Sequence, residues 1–151
     1  YCSPILNDGI VYFMDFQRKA ARLKEPIGDK MTPEVLWKLG GGNDGHFASP
    51  IYHDGLIYAL SGRGVFSVSL PADGNALYTE KLKAKGDTFP SLALAGGNIY
   101  ASMGDTVFVI QPGRQYKQLA ENKLEVSRAC PVFLGTRLYI RGLKNLYCIG
   151  K

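Results

Sequence analysis

Ser49-Pro50-Ile51-Tyr52-His53-Asp54-Gly55-Leu56-Ile57-Tyr58 decides how this chain is read. It holds a short strand, a turn and a second strand. Asp54-Gly55 is a dipeptide that tolerates the positive φ angles of a two-residue hairpin, and the β-branched and aromatic residues beside it favour extended backbone. The phrase recurs along the chain. Ser3-Pro4-Ile5 leads through Asp8-Gly9 to Tyr12, Ser91-Leu92 through Gly96-Gly97 to Tyr100, and Cys130-Pro131-Val132 through Gly135-Thr136 to Tyr139. In each copy the Pro position, Leu92 in the third, lies eight residues before the Tyr. Eight residues beyond the Tyr stand Ala20, Phe66, Phe108 and Tyr147, which predicts one register kept across two strands and a turn.

The Tyr anchors are 46, 42 and 39 residues apart, the period of β-propeller blades. Each copy reads as a four-stranded antiparallel meander. In the second, the strands are expected at Pro50 to His53, Leu56 to Leu60, Val65 to Leu70 and Ala76 to Glu80. In the third they are Leu92 to Ala95, Ile99 to Met103, Thr106 to Ile110 and Gln115 to Leu119. The first copy has Gly9 to Phe16 as its second strand. Its Gln17 to Lys24 reads as a strand or a short basic helix, the later copies favouring strand. Val35 to Leu39 closes it, with Trp37 in the place of Tyr78, and Gly40 to Gly45 is a linker. The fourth copy supplies only Pro131 to Leu134, Leu138 to Arg141 and Leu146 to Ile149.

The expected fold is therefore all-β: a partial β-propeller of about three and three-quarter antiparallel blades from a seven- or eight-bladed ring. Residues 1–151 form a single portion with blades near 1–40, 46–82, 88–124 and 128–151. Blades bury their faces only against neighbours, so two apolar flanks are expected to need cover. The candidates are the remaining half of the propeller, in the same parent or a separate chain, and a second copy of this chain. Residue 1 falls within a strand pattern and is not Met, so the chain is expected to be cut from a longer parent.

With 46% hydrophobic and 21% charged residues in 151, the composition is that of a soluble globular domain rather than a disordered chain. No apolar run approaches the roughly 18 residues of a membrane-spanning helix. The net charge of +5 is spread along the chain apart from Arg18, Lys19, Arg22 and Lys24, read as a solvated cluster. Such an excess favours acidic partners only weakly, and nucleic-acid binding is a minor alternative. Cys2, Cys130 and Cys148 have no metal-type spacing and read as small buried residues. His46 and His53 stand at different ends of one strand and predict no metal site. Gly40 to Gly45 runs into a strand, not a helix N-terminus, so it predicts no phosphate cradle. Asp73-Gly74-Asn75 with Glu80 reads as a turn, because its spacing does not fit a calcium loop. Nucleophile-elbow and zinc-protease motifs are absent from the sequence, and no catalytic or metal-ligating residue is assigned.

One geometric expectation concerns binding. Three residues before each Pro position stand Tyr1, Phe47, Phe89 and Arg128, and the turns between second and third strands contribute Asp15, Arg63, Asp105 and Lys144. If first strands line the channel, these residues share one mouth of the funnel, where convergent polar groups form sites. Blade-to-blade packing is the competing reading of the aromatic column.

The chain resembles the pyrroloquinoline-quinone-like propeller repeat, the family of quinoprotein dehydrogenases and of the bacterial outer-membrane assembly lipoprotein with the same fold. The resemblance rests on Ser49 to Tyr58, on Val65-Phe66-Ser67-Val68-Ser69-Leu70, and on Asp73-Gly74-Asn75-Ala76-Leu77-Tyr78, similar to a shortened form of the family's Asp-x-x-Thr-Gly-x-x-x-Trp tail. The ending Leu146-Tyr147-Cys148-Ile149-Gly150 is also similar to the family's C-terminus. The resemblance implies a propeller in a bacterial periplasmic or secreted setting. The dehydrogenases would bring adjacent cysteines and repeated Trp docking; this chain has no adjacent cysteines and one Trp. The expected role is a non-catalytic binding or scaffolding module presenting an end face to a protein or glycan, with no cofactor. Pyrroloquinoline quinone and calcium enter only under the alternative, part of a quinone-dependent dehydrogenase whose site needs the missing half.

Overall fold

The computed structural model describes residues 2–14, 17–24, 30, 32–40, 45–86 and 88–150. Its strands form four separate sheets in chain order. The first holds β1 (Ile5–Asn7), β2 (Ile10–Met14), β3 (Gln17–Arg22) and β4 (Glu34–Gly40). The second holds β5 (Ile51–His53), β6 (Leu56–Leu60), β7 (Val65–Ser69) and β8 (Ala76–Lys81). The third holds β9 (Ala93–Ala95), β10 (Asn98–Met103), β11 (Thr106–Ile110) and β12 (Gln118–Lys123). The fourth holds only β13 (Val132–Leu134), β14 (Arg137–Arg141) and β15 (Leu146–Gly150). Every sheet is an antiparallel meander, and no described residue is helical. Gln17–Arg22 is thus a strand. The outer strand of the third sheet begins later than the expected Gln115, because Gln111 N donates to Lys117 O at 2.9 Å and closes a broad turn first.

The Asp-Gly hairpins adopt the predicted backbone: φ is 49° and 72° at Asp8 and Gly9, and 48° and 71° at Asp54 and Gly55. The register beyond them keeps the eight-residue expectation in the first copy, where Tyr12 pairs with Ala20, and departs from it in the other three. The Tyr anchors pair with Ala20, Val68, Val109 and Cys148, so the turns between second and third strands differ in length. A shift of one residue turns a side chain to the other face. Phe66, opposite Leu60, therefore faces forward to the third sheet, while Phe108, opposite Ala101, faces back to the second. The two are not equivalents; they meet in one core with Tyr58, Leu60, Val68 and Ile99.

That core binds the second sheet to the third, and β6 is buried along its whole length. A smaller one, with Tyr12, Met14 and Ala20 against Ile57, joins the first sheet to the second. Tyrosine and tryptophan side chains pin the first sheet to the second and the second to the third. Trp37 Nε1 donates to Pro71 O at 2.8 Å, and Tyr78 Oη donates to Gly113 O at 3.4 Å while Tyr58 Oη accepts from Gly113 N at 3.0 Å. Burial, with Tyr58 and Tyr116 close by, pushes the Tyr78 phenol up to about 12.

The inner edge explains the recurring Ser-Pro. Ser3 N donates to Ser49 Oγ at 3.0 Å, Ser49 N to Ser91 Oγ at 2.9 Å, and Ser91 N to Cys130 Sγ at 3.1 Å. From the second copy on, each copy's first residue accepts a hydrogen bond from the preceding copy. Cys130 fills a serine's place in this ladder and is exposed, as is Cys148, contrary to the buried reading. Cys148 shares the outward face of the last sheet, which no described residue covers; Cys2 is half-buried.

Candidate functional site: the channel mouth

The linkers between sheets cross the end of the arc where second strands end and third strands begin. Leu82 N donates to Gly64 O, Leu124 N to Asp105 O and Leu143 N to Val126 O. These bonds hold residues 82–86, 88–92 and 124–131 over the turns, and with them the aromatic column. Phe47 and Phe89 lie with ring centroids 5.5 Å apart and planes at 38°. The Arg128 guanidinium sits 5.2 Å from the Phe89 centroid, within cation–π range. The structure thus brings together Phe47, Phe89 and Arg128, each from a different linker. Tyr1 and Asp15 lie outside the described residues.

Close backbone approach sets the positions. Gly62 N donates to Gly45 O at 2.7 Å, and a Cβ on Gly62 would stand 3.1 Å from the Phe47 ring. The Glu125 carboxylate accepts from Lys144 N at 3.1 Å and Asn145 N at 2.7 Å, capping the β14–β15 turn. Ser127 Oγ donates to Arg141 O at 2.7 Å and ties the same linker to β14.

The turn residues divide by role. The Asp105 carboxylate accepts from Thr106 Oγ1 at 2.9 Å and serves its own turn. Arg63 and Lys144 are exposed; the Arg63 carbonyl accepts from Lys81 Nζ. Lys83 and Lys85, on the second linker, are also exposed, with Lys85 O against the β10–β11 turn. This end therefore combines an aromatic–arginine stack with exposed cations, while Asp105 and Glu125 are engaged locally. At the opposite end, the hairpin and outer turns expose Asp8, Asp54 and Asp73. The sequence reading missed Glu125, Ser127, Lys83 and Lys85. Their signal was position alone, in linkers bound to turns by backbone contacts that no residue pattern announces.

A second concavity lies between the third and fourth sheets. Tyr100, Val107 and Val109 face Phe133, Leu138 and Ile140 across a cleft of about 840 Å³. Tyr100 and Phe133 touch, with centroids 4.7 Å apart. The cleft is lined mainly by apolar side chains, with Glu121, Asn122 and Lys123 of β12 along it. Among the described residues, no three His, Cys, Asp or Glu side chains come together to hold a metal ion.

No family model matches the sequence, and no curated protein matches it. Solved structures do. The chain is similar to BamB from Moraxella catarrhalis at 10% identity and a TM-score of 0.72, over 99% of this chain and 44% of that one. It is similar to the C-terminal WD40 domain of Sif2 at 11% identity and a TM-score of 0.70, over 96% of this chain and 43% of that one. The Cps50 (Swd1) β-propeller domain of Myceliophteria thermophila gives 15% identity and a TM-score of 0.66, over 93% of this chain and 51% of that one. The chain spans about half or less of the length of each. The likeness is of fold, equally to BamB and to WD40 domains: four consecutive sheets of this chain form an arc of a β-propeller.

Proposed function

We propose that this chain is a non-catalytic binding module whose channel mouth, built on Phe47, Phe89 and Arg128, receives an acidic segment of a partner protein. The observation that carries the reading is the Arg128-over-Phe89 stack at an end ringed by exposed cations. Partly exposed aromatic and Arg side chains held by rigid backbone are the usual anchors of protein recognition, and like cations attract carboxylates and speed encounter. A propeller presents such an end face on a fixed frame, with function residing in the loops. Membership of the pyrroloquinoline-quinone-like repeats, and a periplasmic or secreted setting, belong to the same proposal and rest on the Ser-Pro-Ile and Asp-Gly phrases.

The test is a displayed peptide library selected on the chain, followed by affinity measurements on recovered peptides. Acidic sequences are expected. The Phe89→Ala/Arg128→Glu variant should bind them roughly 30-fold or more weakly, since hot-spot truncations are worth about 2 kcal/mol or more. Asp54→Lys, at the opposite end, should change affinity less than about twofold. Recovery of no acidic binder, or a loss confined to Asp54→Lys, contradicts the reading.

A further inference from the structure

A matching rung crosses the second, third and outer strands of each four-stranded sheet. It reads Tyr12–Ala20–Trp37 in the first sheet, Tyr58–Val68–Tyr78 in the second and Tyr100–Val109–Ala120 in the third. In each sheet the register of the outer strand shifts immediately beyond this rung, so the three rungs are structural equivalents. The first two end in a large aromatic ring that crosses to the following sheet, where its polar atom donates to a turn carbonyl. The third ends in a methyl group.

The rings beside that position are kept. Between the first and second sheets, the Tyr12 centroid lies 6.1 Å from that of Tyr52, the middle residue of β5, and 6.2 Å from that of Trp37. Between the third and fourth, Tyr100 lies 4.7 Å from Phe133, the middle residue of β13. Two members of the three-ring set are therefore present, and Ala120 leaves out the third. The cleft between these sheets is the consequence. Val109, opposite Ala120, and Glu121, next to it, line one wall, with Leu138 and Ile140 on the other. Both walls are sheets of this chain, so the cleft does not depend on what covers the outward faces. Its volume of about 840 Å³ lies in the range of small-molecule sites.

The equivalent places decide the occupant. They hold an indole and a phenol, each a flat ring carried into the interface beside a tyrosine. Aromatic pairs pack tilted or offset with centroids about 4.5–7 Å apart, as Tyr12 and Trp37 do at 6.2 Å with planes at 43°. Glu121 and Lys123 along the cleft carry opposite charges, which gives an ion of either sign no advantage. We propose that the cleft between the third and fourth sheets binds an uncharged planar aromatic molecule of one or two fused rings, seated against Tyr100 as Trp37 is seated against Tyr12. This site is separate from the channel mouth, and neither rests on the other.

The probe is indole, titrated into the isotopically labelled native chain and followed by amide chemical shifts. Saturable shifts should fall at Tyr100, Val109, Leu138 and Ile140, with a Kd of about 1 mM or tighter for so small a ligand. Cyclohexanol, apolar but not aromatic, should bind at least tenfold more weakly. Ala120→Trp restores the ring that Trp37 supplies in the first sheet; it should weaken indole binding at least tenfold and raise the urea midpoint. Val109→Phe fills the cleft from the opposite strand and covers the case in which Ala120→Trp does not fold, with the same loss of binding expected. The absence of saturable shifts, or shifts confined to the outward faces at Leu6, Val35, Val132 and Leu146, overturns the proposal. So does undiminished indole affinity in the filled variant, or cyclohexanol that binds as tightly as indole.

Discussion

Phe66→Ala lowers the stability of this chain by about 3–5 kcal/mol, the range for emptying a buried Phe position. The side chain is fully buried in the core shared by the second and third sheets, with Tyr58 and Tyr116 rings 6.3 Å and 6.2 Å away. Tyr116 lies in the turn before β12, so the cavity opens between sheets rather than within one. Domains are stable by only about 5–15 kcal/mol in total. The loss is therefore visible as a large drop in the urea midpoint. Phe89→Ala is the comparison: at 38% exposed it should lower stability by no more than about 1 kcal/mol. A Phe66→Ala effect as small as that of Phe89→Ala would mean that the second and third sheets are not stacked face to face.

Gly104→Ala should be at least as damaging, by a different route. Gly104 turns β10 into β11 at φ 56°, and a Cβ there would stand 2.0 Å from Lys85 O and 3.1 Å from Lys85 C. The obstacle is backbone of the linker, not a side-chain end that can swing away. The same turn takes Ser127 N on Gly104 O at 3.0 Å, so moving it disturbs both linkers and the mouth they carry. Gly96 supplies the control, with φ 55° and nothing within 4 Å of a Cβ. Gly96→Ala carries only the left-handed penalty, about 1–2 kcal/mol; Gly104→Ala should exceed it by at least ~2 kcal/mol in thermal or urea unfolding. Equal effects would show that the Lys85 linker does not lie against this turn.

The period of the Tyr anchors and the Asp-Gly hairpins made the sheet architecture legible, because both are local signals with local causes. Trp37 and Tyr78 were legible as equivalents, and each does hydrogen-bond to the outer turn of the next sheet. The register of third strands was not. It depends on turn length: Phe66, Phe108 and Tyr147 share a spacing from the Tyr anchors, yet Phe66 lies on the Tyr face of its sheet and Phe108 and Tyr147 on the opposite one. The Ser3–Ser49–Ser91–Cys130 ladder links residues that are neighbours only once sheets are side by side, and Cys130 masks the last rung by chemistry. Phe47, Phe89 and Arg128 were found by alignment to the Pro positions and do stack. The division of the Arg18 to Lys24 cluster between two faces was invisible without pairing partners.

The sheets stack in sequence, the inner ones covered on both faces and the end ones, among the described residues, on one. Amide hydrogen exchange on residues 1–151 measures this directly, since protection follows local opening free energy. The slowest amides should lie in β6, β7, β10 and β11, with exchange in β2 and β14 faster by at least about tenfold. Protection in β2 and β14 equal to that in β6 and β10 would contradict an open arc whose two end sheets each leave one face bare.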